Sequence, residues 1–350
     1  MSILAALAFA GLPFYAEVQR ADLVEPASAA SAERGLGADL GRLRPAPGGE
    51  SVCTAPAQRG AHPFRDLLAS WNVDAPPATG FVVELRVDAE GDGAWSAWMH
   101  LGDWGAPDFV PPLTQRVTTC AGGKVDVDFF RGERTFQAVQ LRVRAFSREP
   151  GLEVRVRRLT VCFSDRERAV EPLAPLDARP LGRVLDVHPR SQKTERPEIA
   201  GRICSPTSVS MVLGYRGVDV TTLAVAEAAF DAAHDIYGNW PRNVQAAYAL
   251  GVPGYLARFS DWARVERLVA EGTPIVASIA VKEGQLTGAP YPSTAGHLIV
   301  IVGFDREGNC VVNDPAVSDP EGARRVYRRD EMETVWMRRG GTAYVLEARP

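Results

Sequence analysis

The chain has 350 residues, 46% of them hydrophobic, and 43 acidic against 39 basic side chains leave a net charge of −4. That length suits about two domains, and a mildly acidic chain with scattered Lys and Arg argues against a nucleic-acid partner. Five cysteines are an odd number and far too few for a disulfide scaffold.

Residues 1–60 read as a flexible lead. The opening MSILAALAFAGLPFYAE has no Lys or Arg before its apolar run and is too short to span a bilayer. An export signal and a plain apolar start both fit it; the first favours a secreted or cell-envelope location, the second a cytoplasmic one. No other stretch would insert stably in a membrane. The EPASAASAERGLGADLGRLRPAPGGE segment lacks apolar periodicity.

From 61 to 166 the pattern alternates with period two. FVVELRVDAEGDGAWSAWMHLG predicts a hairpin, and KVDVDFF, FQAVQLRVRAF and LEVRVRRLTVCF predict further strands, together a β-sandwich accessory domain. Cys120 and Cys162 fall in or beside these strands as small apolar residues. Trp71, Trp95, Trp98 and Trp104 crowd the same region; core packing accounts for most of them, with a glycan- or polymer-binding face as the alternative.

Residues 167–180, charged and Pro-rich, read as a linker. Residues 181–350 mix element types. VSMVLGY, TTLAVAEAAFDAAH and NVQAAYALG have helical spacing, and Ser260 is positioned to cap a helix ending at Gly272. TPIVASIAV, HLIVIVGFD, NCVVNDP, RRVYRR and TAYVLEA then follow as strands. Helices first and consecutive strands after predict an α+β domain with an antiparallel sheet.

One stretch carries chemistry. In GRICSPTSVSMVL, residues 201–213, Pro206 suits a first helical turn and Ser205 a cap. Cys204 then lies just outside the helix N-terminus, where partial positive charge favours a thiolate. A buried structural cysteine is the competing reading. A nucleophile needs a base. Of His62, His100, His188, His234 and His297, the last stands apart, opening the apolar strand of TAGHLIVIVGFD. The base needs an orienter. A four-residue loop pairing Phe304 with Asn309 sets Asp314 opposite Ile299, on the face of His297. A two-residue loop sets Asp314 across from His297 itself. Oxyanion donors are also needed: the Cys204 amide is one candidate, and Gln192, the only Gln between the domain boundary and Cys204, is another. Cys310, amid apolar strand neighbours, reads as core.

VLDVHPRSQ, CSPTSVSMVLGYRG and AGHLIVIVGFDREGNCVVNDPA resemble a papain-like cysteine peptidase of the bacteriocin-processing (double-glycine leader) type, in its free-standing bacterial branch. The resemblance covers about residues 184–316. It implies Cys204 as nucleophile, His297 as base, Asp314 as orienter and Gln192 as oxyanion donor. Ser205 stands where the family often has Gly, and Gln192 lies 12 residues before Cys204, farther than in transporter-linked members. The first domain resembles the sandwich that often precedes such peptidases.

The sequence thus predicts a cysteine peptidase acting through a thioester acyl-enzyme on a peptide or protein substrate. With no GxxxxGK[ST], no CxxC and dispersed histidines, neither nucleotide, metal nor other cofactor is expected. Two rivals remain: an amidase, transpeptidase or cell-wall hydrolase on the same scaffold, and a non-catalytic glycan-binding protein using the Trp-rich sandwich.

Overall fold

The run Leu67–Val73 shows little alternation because its strand is covered on both faces. The computed structural model describes residues 13–22, 41–105, 110–194 and 196–348. The N-terminal unit comprises β1 (Phe14–Asp22), β2 (Arg42–Leu43), β3 (Glu50–Thr54), β4 (Phe64–Asp74), β5 (Thr79–Asp88), β6 (Met99–Gly105), β7 (Thr119–Cys120), β8 (Gly123–Asp126), β9 (Phe129–Phe136), β10 (Ala138–Ser147) and β11 (Val154–Ala169). Among the described residues one sheet runs β1-β11-β4-β9-β8-β7, with β2 beside β11, and a second runs β3-β10-β5-β6. Side chains of both sheets share one core.

On β4 the residues divide by parity. Leu67, Ala69, Trp71 and Val73 enter that core, while Leu68 joins a second cluster belonging to the C-terminal half. Between them, Ser70 accepts the Leu256 N–H (3.0 Å) and Asn72 donates to Gly254 O (3.0 Å). A strand read by both neighbours loses its polar face, which is why period two fades there.

The lead expected over 1–60 differs from what folds. It supplies β1, β2 and β3, and β1 pairs antiparallel with β11 from Phe14↔Ala169 to Asp22↔Arg158. β1 also meets the C-terminal half: Phe14 O accepts the Ser260 hydroxyl and Ala16 O accepts Arg264. The apolar run read as an export signal begins on residues 1–12, outside the described ones. β11 runs on to Ala169, and 170–180 carries neither helix nor strand.

The C-terminal unit holds α1 (Cys204–Tyr215), α2 (Thr222–Ala229), α3 (Trp240–Ala249), β12 (Gly254–Arg258), α4 (Trp262–Ala270), β13 (Ile275–Val281), β14 (Thr294–Phe304), β15 (Cys310–Asn313), β16 (Arg324–Tyr327), α5 (Arg329–Val335) and β17 (Thr342–Leu346). Its strands form one antiparallel sheet in the order β12-β17-β13-β14-β15-β16. The protein is therefore α+β with an all-β unit in front, as the sequence predicts. Strand β12 and helix α5 are additions to that expectation. Ser260 does not cap α4: Asp261 does, accepting from Arg264 N at 3.2 Å.

Two details aim the site. Gly303 lies under the incoming chain, where a Cβ would stand 2.2 Å from Arg183 O; only glycine lets residues 183–185 cross β14 there. Gln245, fully buried on α3, exchanges two hydrogen bonds with the Val73 backbone (3.1 and 2.8 Å), joining helix to strand across the two units. Among the tryptophans, Trp71 is buried in the shared core and Trp104 packs against that core. Trp95 and Trp98 are half-buried with Arg86 over both rings (4.9 and 4.6 Å), and Arg142 also covers Trp98 (4.4 Å). Among the described residues no helix is long and apolar enough to cross a membrane.

Candidate active site

Helix α1 starts two residues earlier than its sequence suggests. Cys204 is its first residue, and Ile203 holds the cap position without a side-chain cap. Ser205 is no cap: its hydroxyl is 2.8 Å from the buried Tyr344 hydroxyl. The Thr207 amide and hydroxyl both return to Ile203 O (2.9 and 2.7 Å). Free amides of a first turn point outward with partial positive charge, and here the Ser205 N–H, together with Leu298 N–H, bonds the Cys204 sulfur. Ser208, one turn on, ties α1 to Leu298 O at 3.0 Å, setting the helix start beside His297.

His297 is the fourth residue of β14, the strand beginning at Thr294 rather than at the histidine. The hairpin to β15 is wider at its turn than either register considered. Phe304 pairs with Cys310, a bulge between Ile301 and Gly303 absorbs one residue, and Val300 then pairs with Asn313. Asp314 follows directly. The bulge restores the register that a four-residue loop would have produced, and the His297 Nε2 lies 2.8 Å from Asp314 Oδ1. With Nε2 engaged, Nδ1 is the nitrogen left to face the thiol, and His297 is hydrogen-bonded to Cys204.

Asp314 is fully buried yet amply supplied with donors. Oδ1 also accepts the Ala316 N–H (3.0 Å), and Oδ2 accepts the hydroxyls of Tyr291 (2.9 Å) and Tyr327 (2.8 Å). Burial alone raises a carboxyl; the His297 bond and charge, the Ala316 amide and the Tyr327 hydroxyl outweigh it and hold Asp314 below its ordinary value. His297 shows the converse. Burial pulls it down, but Asp314 and then Cys204 push it up to about 10. For Cys204, burial raises the thiol and the His297 bond and charge, with the two amides, bring it below its ordinary value. Each member of the pair thus favours the charged form of the other.

No other cysteine resembles this. Burial pushes Cys53 and Cys162 up to about 11, raises Cys120, and drives Cys310 far up within an apolar cluster.

Gln192 is buried. Its backbone N–H donates to Pro315 O (2.9 Å), and its Nε2 donates to Ala200 O (2.9 Å). Oε1 is buried and, among the described residues, has no partner. The sequence reading missed Tyr291, Tyr327 and Tyr344. Only Tyr291 left a trace, as an aromatic between two prolines in APYPS. Among the described residues no group of His, Cys, Asp and Glu is arranged to hold a metal ion.

Two family models match the chain. Residues 184–344 match the Peptidase_C39 like family, and residues 50–164 match the Peptidase C39 N-terminal domain. A C39-like peptidase from Bacillus anthracis is 18% identical over 47% of this chain and 98% of its own, with a TM-score of 0.36. A double glycine motif protease from an AMS/PCAT transporter, solved with the leader peptide, is 19% identical over 49% and 99%, with a TM-score of 0.33. No curated protein matches the chain.

Proposed function

We propose that this chain, a member of the C39-type cysteine peptidase family through residues 184–344, hydrolyses peptide bonds with Cys204 as nucleophile, His297 as acid and base, and Asp314 as the group that orients His297. The observation that carries the reading is the hydrogen-bond chain from the Cys204 sulfur through His297 to a buried, ionised Asp314.

In this mechanism the Cys204 thiolate attacks the scissile carbonyl and a C–S bond forms. The oxyanion is received by the Cys204 N–H at the helix start and by Gln192. One hydrogen of the Gln192 Nε2 is taken by Ala200 O; the second is available for the oxyanion. His297 gives its proton to the departing amine, leaving a thioester on Cys204. Neutral His297 then takes a proton from water, hydroxide adds to the thioester, and the acid and thiolate are released. Fixed by Asp314 through Nε2, the imidazole keeps Nδ1 toward the sulfur in both halves.

The test is Cys204→Ala, expected to abolish peptide turnover while circular dichroism and Tm stay near wild type. Iodoacetamide should label Cys204 ahead of the other four cysteines, at a pH well below the ordinary thiol range of about 8.5. Cys310→Ser should keep its activity. Full turnover by Cys204→Ala, or loss of turnover in a folded Cys310→Ser protein, overturns the assignment.

A further inference from the structure

Two tyrosines hold the carboxylate oxygen that His297 does not use. Tyr327 reaches Oδ2 from β16, a strand already fixed by pairing with β15. Tyr291 reaches it from the 282–293 connection between β13 and β14. That connection is secured by side-chain contacts rather than by strand pairing. Thr287 binds Glu331 of α5 through its amide and hydroxyl (2.9 and 2.7 Å), Arg325 of β16 donates to Gly288 O (2.7 Å), and Leu286 and Tyr291 pack against the core. Tyr291 also sets its ring edge-on to the His297 imidazole, with centroids 5.0 Å apart and planes at 70°. One side chain thus touches both members of the His297–Asp314 pair.

We propose that Tyr291 is a positioning residue for the reaction: its hydroxyl, acting with that of Tyr327, pins Asp314 Oδ2 so that Oδ1 stays on His297 Nε2, and its ring closes that hydrogen bond to water. The inference rests on the assignment of His297 and Asp314 above.

A carboxylate held only through Oδ1 turns about χ2, since the terminal torsion is broad and roughly two-fold. Four donors to two oxygens remove that freedom. Burial first, and then the Asp314 charge, keep both phenols far above their ordinary range, so each remains a donor throughout the working pH span. The charged groups facing this cluster are His297, Cys204 and Asp314, with Arg325 beside Tyr327. Tyr291 differs from Tyr327 in origin, because it arrives on a connection outside the sheet. Anything that displaces residues 282–293 would therefore loosen Asp314 and lower the proton affinity of His297 without touching either residue.

The experiment compares Tyr291→Phe, Tyr291→Ala and Tyr327→Phe in the full chain, reading kcat and KM against pH together with the pH profile of Cys204 alkylation. Tyr291→Phe should lower kcat about fivefold with KM near wild type. The alkaline limb should move to lower pH by about half a unit, because a less firmly held carboxylate supports the imidazolium less. Tyr291→Ala, which also removes the ring, should show a larger loss and a larger shift. Alkylation should report the same shift in the absence of substrate. Wild-type kcat and an unmoved alkaline limb in folded Tyr291→Phe overturn the proposal, as does a loss that follows only the folded fraction. Failure of the underlying assignment shows differently, as full turnover by Cys204→Ala whatever the tyrosine variants do.

Discussion

Asp314 and Asp128 are both buried carboxyls, one at the end of β15 and the other in the β8–β9 turn of the N-terminal unit, and they titrate in opposite directions. Asp314 has an imidazolium, an amide and two phenols as donors, and stays below its ordinary value. Asp128 has the Trp240 N–H (2.8 Å) and its own amide, against burial and the nearby charges of Asp126 and Asp231, and is raised to about 7. Burial pushes both carboxyls up. What differs is the number and charge of the donors, so depth alone says nothing about whether a carboxyl is ionised.

The cost of each arrangement also differs in kind. Asp314 spends its donors on holding a histidine. Asp128 reaches from one unit to the first residue of α3 in the other, whose own cap, Asn239, already accepts from Arg242 N (3.1 Å). Val127 beside it adopts φ +63°, rare for a β-branched residue, and Phe129 stacks on Trp240 with centroids 5.7 Å apart. The turn is strained and polar where it docks, a pattern of joining rather than of chemistry.

Asp314→Asn is the largest expected break in this contrast. It should cost about a hundredfold or more in kcat/KM, since a neutral amide neither sustains the imidazolium nor fixes its tautomer. Equilibrium denaturation should show a smaller change than the rate does.

Asp128→Asn should act on stability and leave the chemistry in place. Because the folded value of Asp128 lies above its unfolded one, its contribution is complete below about pH 4 and is lost as pH rises through about 7. Asn keeps an acceptor for Trp240 and cannot ionise. The variant should therefore match wild type near pH 4 and exceed it at pH 8, on the order of a few kcal/mol at most. Urea denaturation at the two pH values decides this, and a variant less stable at both would reject it. Asp314 has the opposite sign: its folded value is lowered, so its contribution is present above about pH 4 and fails only in stronger acid. His297, raised to about 10, contributes below about pH 6.5 and loses that contribution as pH climbs toward 10.

The smallest effect belongs to Asp126→Asn. It removes one of the two carboxylates that raise Asp128 and should draw the midpoint of the Asp128-linked stability change downward by less than about one pH unit. Carbon-13 NMR of the Asp128 carboxyl reads this directly; an unmoved midpoint would leave Asp231 as the only neighbour of consequence.

Legibility followed the range of the interaction. Most helices and strands in 181–350 could be read from local apolar pattern and turn residues, although β12 and α5 could not. Cys204 and Asp314 could be named because each sits at an element boundary that local residues mark, Pro206 and Pro315, and His297 because it opens the buried stretch of β14. The start of α1 lies two residues before the expected one, and Ser205 is drawn inward by Tyr344, 139 residues away. The β1–β11 pairing was missed because a strand followed by a Pro- and Ala-rich segment looks like a lead until its partner is known.

By itself, then, the sequence determined the α+β class of the second half, the all-β character before it and the residues worth testing, since those follow from side-chain period and turn chemistry along a few neighbouring residues. Tertiary structure alone decided the bulge that aligns Asp314 with His297, the two phenols on its free oxygen and the double burial of β4. Each depends on groups far apart in the chain meeting in a low-dielectric interior, where a donor or a charge that local pattern never encodes sets which protonation state survives.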